Sequence, residues 1–357
     1  MRPGWKTMKL DDACFVDYGT RVVRKRDGGT IYQVYGGGGA TFRMDTYNRE
    51  DCLVVARFAM SQTCTRFVQG KFFLNDSGLT LRAKDKDLSQ VFLDWIITSK
   101  NNLIYSFGKG SAQKNLDMED FRNMEISFPI SLAEQQRIVD ILDREFAKID
   151  ALKANAEKSL QAAKDLFHAT LKKELEQKEG WEMKRITEIA SLKAGKFVSA
   201  QDIFDERGEG MYPCFGGNGL RGYVKTYNHE GRFNIIGRQG ALCGNINIAD
   251  GKFHATEHAV VVSPMVPVIF KFLYYSLCNA NINQYATGAA QPGISVKNIN
   301  ERLFLAIPSL SEQERVANQL DQIKQQTNTL QENYQKTLTL CDDLKQSLLR
   351  KAFNGEL

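Results

Sequence analysis

The chain is poor in the residues that mark most enzymes and secreted scaffolds. Only seven of its 357 residues are proline, and no two are adjacent. That leaves no Asn/Asp-Pro-Pro-Tyr/Phe tetrapeptide, the element with which amino-methyltransferases hold a target base. The seven cysteines (14, 52, 64, 214, 243, 278 and 341) are odd in number, scattered and never in a CxxC pair. A disulfide framework or zinc site is therefore not expected, and reduced thiols are. No G-x-x-x-x-G-K-[ST] loop is present, so ATP hydrolysis by this chain is not expected. No P-D…(D/E)-x-K nuclease arrangement stands out either. No run approaches the ~18 apolar residues of a membrane span, and "MRPGWKTMKL" lacks the apolar core of a leader, so no membrane contact and a place in the cytoplasm are expected. Among four histidines, His254 and His258 of "HATEH" are spaced by four. They fall in a run that reads as β, where such neighbours stand too far apart for one ion, and the first half of the chain has Phe73 and Ser77 there. No metal site and no catalytic residue are expected.

What the chain does have is a repeat. "SLAEQQRIVDIL" at 131–142 returns as "SLSEQERVANQL" at 309–320, 178 residues later. "GWKTMKLDDACFVDYG" (4–19) answers "GWEMKRITEIASLKAG" (180–195), and "VYGGGGATFRMDTYNRE" (34–50) answers "CFGGNGLRGYVKTYNHE" (214–230). "DCLVVARFA" matches "RFNIIGRQG", "GKFFLNDSG" matches "GKFHATEHA", and "GKGSAQKNLDMEDFRNMEISFP" matches "ATGAAQPGISVKNINERLFLAIP". Six matches in one order are a tandem duplication of a globular part followed by a long helix. The expected divisions are a globular part at 1–130, a helix at 131–179, a second globular part at 180–308 and a second helix at 309–357. With 43% hydrophobic content the chain can bury two cores of ordinary size.

The globular parts read as mixed α and β. Leu53–Phe58, Phe233–Ile236 and Ala259–Ser263 are β-rich, and "QVFLDWIITSK" and "VIFKFLYYSLC" look like buried helices. In the second long helix Val316, Leu320, Ile323, Thr327, Leu330, Tyr334, Thr337, Cys341, Leu344 and Leu348 alternate by four and three, a coiled-coil seam. The same register in the first gives Ile138, Leu142, Ile149, Leu152, Ala156, Ala163 and Leu166, with polar Glu145 and Ser159 in two seam positions. Ser131 and Ser309 precede Glu134 and Glu312 by three, as in a capping box. The expected fold is α+β: two mixed domains joined by two long helices that form an antiparallel coiled coil, with a pseudo-two-fold relation from the duplication.

The net charge is only +5, but its distribution is uneven. Residues 1–130 carry +4 and 181–308 carry +3, while 131–180 and 309–357 carry −1 each. Basic residues lie among glycine, amide and aromatic side chains, the mixture that contacts phosphates and base edges. The candidate DNA contacts are Arg21, Arg24, Lys25, Arg26, Arg43, Arg57, Lys109, Gln113 and Lys114 in the first domain. In the second they are Asn218, Arg221, Lys225, Arg238, Gln239, Gln291 and Lys297.

The "GW" starts at Gly4–Trp5 and Gly180–Trp181, "YGGGGATF" and "FGGNGLRGY", "GKGSAQKNLDMEDFRNMEISFP", the P-x-L/S-x-EQ-x-R-[IV] helix starts and the terminal "LLRKAFNGEL" together carry a resemblance. Over its whole length the chain resembles the specificity subunit of type I restriction-modification systems, which serve phage defence. The resemblance implies two target-recognition domains, each reading half of a split double-stranded DNA target, and helices that space them. It implies a non-catalytic chain that docks two adenine methyltransferase (modification) subunits and recruits restriction/translocase subunits. S-adenosylmethionine, ATP and Mg would then sit on those partners. The halves differ at Phe58–Ala59 against Gln239–Gly240 and at Lys114 against Pro292, as domains that read different bases would. The rival reading, a duplicated coiled-coil scaffold that binds only proteins, would show no salt-dependent affinity for DNA.

Overall fold

The computed structural model describes residues 3–240, 242–288 and 292–357. Two compact units emerge: residues 1–157 with 336–357, and residues 158–335. Each unit therefore holds one globular domain and a length of both long helices, Leu132–Glu174 and Leu310–Asn354.

In the first unit a six-stranded sheet runs in the order Cys14–Tyr18, Gly78–Ala83, Arg49–Ala56, Thr65–Leu74, Tyr32–Gly36, Gly39–Met44. Its pairs are antiparallel except where Val34 and Tyr35 run parallel to Phe73 and Leu74. The "TYN" motif makes that junction: the amide of Asn48 donates to Leu74 O at 3.0 Å and accepts from Leu74 N at 2.6 Å, as a strand partner would. The core packs Leu53, Val55, Leu79 and Leu81 against the helix Gln90–Ser99 through Phe92, Leu93, Ile96 and Ile97. A separate two-stranded ribbon, Trp5–Lys9 with Glu125–Pro129, leads into the first long helix.

The second unit repeats the plan with its sheet in two pieces. Ala190–Ala194, Ala259–Pro264, Phe233–Gly237 and Ile246–Ala249 form one; Gly219–Val224, Tyr212–Gly216, Lys252–Ala255 and His229–Glu230 form the other. The break falls at Gly251, whose φ of 77° matches the 72° of Gly70 in the middle of the unbroken strand of the first domain. Only glycine adopts that conformation without strain. Asn228 repeats the clamp of Asn48, donating to Ala255 O and accepting from Ala255 N, both at 2.8 Å.

Within each unit the long helices run antiparallel. In the first, Lys153 meets Asp342 at 2.7 Å while Asp150 meets Lys345, so one helix rises as the other falls. In the second, Glu174 receives Arg315 at 3.4 Å and Gln319 at 3.3 Å. At each helix start the serine oxygen accepts from the N–H three residues on, at 3.4 Å, and the glutamate grips the following arginine through two bonds of 2.8 Å. The glutamine between them is buried in both copies: Gln135 is 0% and Gln313 1% exposed.

The expected seam register holds at most of its positions and fails at four leucines. Ile138, Leu142, Ile149, Ala156, Ala163, Val316, Leu320 and Cys341 are buried, and Ile323, Tyr334 and Leu348 partly so. Leu152, Leu166, Leu330 and Leu344 are instead 51%, 51%, 40% and 53% exposed. Lys153 and Phe167 turn part-way inward in place of Leu152 and Leu166, while Phe146 and Leu160 are half-buried alongside the expected Glu145 and Ser159. In the second helix Thr327 is buried at its expected position, Gln331 and Lys345 turn part-way inward in place of Leu330 and Leu344, and Ala317 and Ala352 are buried beside the seam. The Phe146 ring lies edge-on to Trp95 at 4.6 Å, and the Lys324 ammonium lies over the Tyr274 ring at 4.9 Å, so each domain helix draws that position inward.

Candidate nucleic-acid interface

In both domains the residue after the central strand is an arginine, and the same backbone bonds hold it. Arg57 N donates to Ser77 O at 2.8 Å, and its own carbonyl accepts from Leu116 N at 2.8 Å. Arg238 N donates to His258 O at 3.0 Å, and its carbonyl accepts from Ile294 N at 2.8 Å. Leu116 and Ile294 end short hairpins, Lys109 pairing with Asn115 in the first and Thr287 with Gly293 in the second. Met60 N to Lys114 O (2.9 Å) and Gly240 N to Pro292 O (3.0 Å) add a further strap in each.

The glycine turn closes onto the same place. A Cβ at Gly37 would stand 2.5 Å from Phe58 O, and one at Gly217 would stand 2.7 Å from Gln239 O. These glycines are required by close backbone packing inside the protein. The tip is different: a Cβ at Gly38 would meet nothing, and its counterpart is the exposed Asn218. Glycine turn, arginine and hairpin thus converge in each domain, although they are far apart in sequence.

In the second domain the convergence leaves a cleft of about 490 Å³ lined by the glycine turn with Asn218, Arg221, Gln239 and His258. Arg221 is exposed on the strand Gly219–Val224, and Asn218 lies 3.3 Å from Asn245. The half-buried Arg238 reaches Glu257 O at 3.4 Å. In the first domain the Arg57 guanidinium lies between the rings of Tyr18 (4.7 Å) and Phe58 (4.6 Å). Lys114 covers Tyr105 at 4.3 Å, and Gln113 leans on Asn115 at 3.3 Å. Lys109 binds Asp117 at 2.5 Å and Asp120 at 3.4 Å. That contact, with the N–H groups of Glu119 and Asp120 that Asp117 caps, holds the Asp117 carboxyl below the usual carboxylate range.

Other candidates stand apart from these straps. Arg24, Lys25 and Arg26 occupy a one-turn helix, Arg24–Asp27, just after Arg21, and Arg26 pairs with Asp27 at 2.8 Å. That loop packs on the edge strand, with Gly29 N to Arg43 O at 2.6 Å and Arg43 Nη1 to Ile31 O at 3.1 Å. Lys225 follows the strand Gly219–Val224 and approaches Phe204 at 5.8 Å, while Lys297 faces Glu301 at 3.8 Å on the helix Val296–Arg302. Gln291 lies outside the described residues.

Two residues join the picture that the basic clusters did not reveal. Arg66, isolated in "SQTCTRFVQG", brings its guanidinium to 2.5 Å from where a Gly39 Cβ would be. His258 lines the cleft and lies 3.1 Å from Glu257. It is not strand-paired with His254: the strand ends at Ala255 and a turn intervenes. His254 points Nε2 at Lys196 O, 3.1 Å away, and no group of three or more metal-ligating side chains occurs among the described residues. Nor is any helix there long and apolar enough to cross a membrane.

The fold and its loops define a class: a tandemly duplicated α+β chain presenting two strapped clusters of polar and basic groups beside paired long helices. The family described as "Type I restriction modification DNA specificity domain" matches residues 3–162 and again 178–340, and the chain belongs to it. The specificity subunit of the type I restriction enzyme EcoprrI from Escherichia coli is 39% identical over 251 residues, 65% of this chain and 59% of that one. The chain thus spans less than two thirds of that relative. A putative type I specificity subunit of Mycoplasma genitalium is 22% identical over 90% of this chain and 86% of its own length. Among solved structures, a chain of a type I R-M system studied for complex assembly and conformational transition superposes with a TM-score of 0.80 at 18% identity, covering 100% of this chain and 99% of that one. The HsdS subunit of Thermoanaerobacter tengcongensis gives 0.55 at 18% identity, covering 100% and 98%. These structural likenesses concern the fold.

Proposed function

We propose that the chain is the DNA-reading subunit of a type I restriction-modification complex and that each domain reads one half of a bipartite target. The observation that carries this is the repeated convergence of glycine turn, arginine and hairpin on one polar surface in each domain. Gln239, Asn218 and Arg221 supply the amide and guanidinium groups that bond to base edges, and the surrounding lysines supply phosphate contacts. The chain carries no chemistry of its own in this reading. Adenine methylation belongs to two docked modification subunits with S-adenosylmethionine, and ATP- and Mg-dependent translocation and cleavage belong to restriction subunits, all in the cytoplasm.

The paired long helices set the unread spacer and dock the modification subunits. Supporting the docking role are the leucines that the seam leaves out: Leu152 and Leu344 in the first unit, Leu166 and Leu330 in the second, each at least 40% exposed. Each pair comes from opposite helices of one unit and suits an apolar helix from a partner.

The test compares methylomes of cells with and without the gene. One split adenine-methylated sequence should vanish with the gene. The DNA affinity of the assembled complex should fall steeply with salt. Methyl transfer by the purified chain alone, or affinity with no salt slope, overturns the reading.

A further inference from the structure

We propose that Gln135 and Gln313 are positioning residues that fix the tilt of each domain on its long helix and so give the complex its discrimination between spacer lengths. The inference rests on the bipartite reading above. Each amide is buried and hydrogen-bonded through both its oxygen and its nitrogen across chain segments. Gln135 Oε1 accepts from Ser89 N at 2.9 Å, and its Nε2 donates to Asp87 O at 2.6 Å and Pro129 O at 2.7 Å. Gln313 Oε1 accepts from Ile269 N at 2.9 Å, and its Nε2 donates to Pro308 O at 2.9 Å. Ser89 and Ile269 are the cap positions of the domain helices Gln90–Ser99 and Phe270–Asn279. One side chain therefore ties the start of the domain helix and the proline before the long helix to the long helix itself.

A single tie is a pivot; a second one sets an angle. Eight residues further along each long helix an aspartate supplies it. Asp143 accepts from Trp95 Nε1 at 3.1 Å, and Asp321 accepts from Tyr275 Oη at 2.5 Å and from Lys271 at 3.0 Å. Eight residues are about 12 Å of helix, so an ångström of slack at either tie tilts the domain by roughly five degrees. The struts differ chemically between the domains, Trp95 in one and Tyr275 in the other, yet both anchors recur at an offset of 178 residues. An apolar side chain would fill the same buried volume without needing partners. A glutamine in both copies is explained by the direction that its hydrogen bonds impose.

The test uses Gln135→Met and Gln313→Met in the full chain assembled with modification subunits. Methionine keeps the length and apolar bulk but makes no such bonds. Duplexes hold both half-sites constant and vary the spacer by one base pair either way. The native complex should prefer one spacer. Each variant should lose about ten-fold of that preference, within the roughly hundred-fold that a 1 Å misplacement can cost, while discrimination against a mutated half-site stays native. An unchanged preference overturns the proposal, and so does a loss equal on all spacers with a lowered melting temperature. If the native complex methylates no split site, the bipartite reading has failed instead. The tie is then judged by the spread of distances between probes at Leu103 and Ala147, exposed positions of the first unit. Gln135→Met should widen it, and an unchanged spread overturns the tie.

Discussion

Ending the chain after Glu179 leaves one whole domain and one long helix but strips residues 336–357 from the first unit. Those residues place Leu349 and Ala352 in the core of the first domain, with Leu348, Phe353 and Leu357 packed beside them. Phe353 lies edge-on to Phe92 at 5.5 Å, and Arg137 donates to Leu357 O at 2.8 Å. At about 1.5–3 kcal/mol for each large side chain fully buried, the loss is on the order of 5 kcal/mol. That rivals the whole stability of an ordinary domain. The fragment should therefore not persist as a folded monomer. It does carry a substitute, because Leu171 and Leu175, buried in the second unit, stand 178 residues before Leu349 and Phe353. A second copy can lay its residues 158–179 where 336–357 had been. Glu174 would then face Arg137, the counterpart of the Arg315 that it meets at 3.4 Å in the intact chain. Sedimentation should show a dimer whose unfolding midpoint rises with concentration. Arg137→Glu should weaken it, and adding Glu174→Arg should restore it. A fragment that stays folded and monomeric at micromolar concentration refutes the reasoning.

Three further outcomes are expected. Burial raises the Asp94 carboxyl to about 6, against a partial counter-effect of the Gln90 amide. Its folded value exceeds its unfolded one, so the stability it contributes is complete below about pH 4 and lost as pH rises through 6. Asp94→Asn should accordingly stabilise the first unit by roughly 1–3 kcal/mol at pH 7 and by nothing at pH 4 in urea titrations; a gain that grows in acid contradicts the argument. Arg57→Ala and Arg238→Ala should each lose ~1–3 kcal/mol of affinity and relax one position of one half-site, whereas an equal loss on every sequence identifies a phosphate contact. Leu152→Lys with Leu344→Lys should abolish binding of a modification subunit to the first unit while leaving DNA affinity unchanged, as read by co-sedimentation and by titration with labelled duplex.

How much of this was legible beforehand depended on whether the signal was local. The duplication and the long helices were, because unbroken helical periodicity and paired motifs lie in contiguous sequence. The seam phase was largely legible. Leu142, Ile149, Ala156 and Ala163 are buried as expected, whereas the inward lean of Phe146 depends on Trp95, about fifty residues upstream in another element. "EQ-x-R" gave the helix start, but nothing in it distinguishes a glutamine that is 0% exposed from a solvated one. In the interface, Arg57 and Arg238 stood out as the same residue after matching strands. Arg66 did not, since it has no basic neighbour and meets the glycine turn only through sheet pairing. The glycine clusters suggested backbone approach to phosphate, and the structure gives Gly37 and Gly217 to packing against the backbone of Phe58 and Gln239 instead.

The two halves separate cleanly into a frame and a face. Asn48 and Asn228 clamp their strands alike, Gln135 and Gln313 seat their domains alike, and the carbonyls of Arg57 and Arg238 hold their hairpins with bonds of the same 2.8 Å length. Each of these residues bonds to backbone, so it constrains the fold without regard to neighbouring side chains. Positions beside that frame differ: Gly38 against Asn218, Phe58 against Gln239, Ser77 against His258. In the first domain the Phe58 ring packs on Arg57 and the Ser77 hydroxyl accepts from Gly37 N at 2.9 Å, whereas the second places an amide and an imidazole in its cleft. A duplication kept for symmetry alone would have preserved both sets. Retaining the frame while altering the face is what the proposed reading, two modules held alike and reading different half-sites, requires.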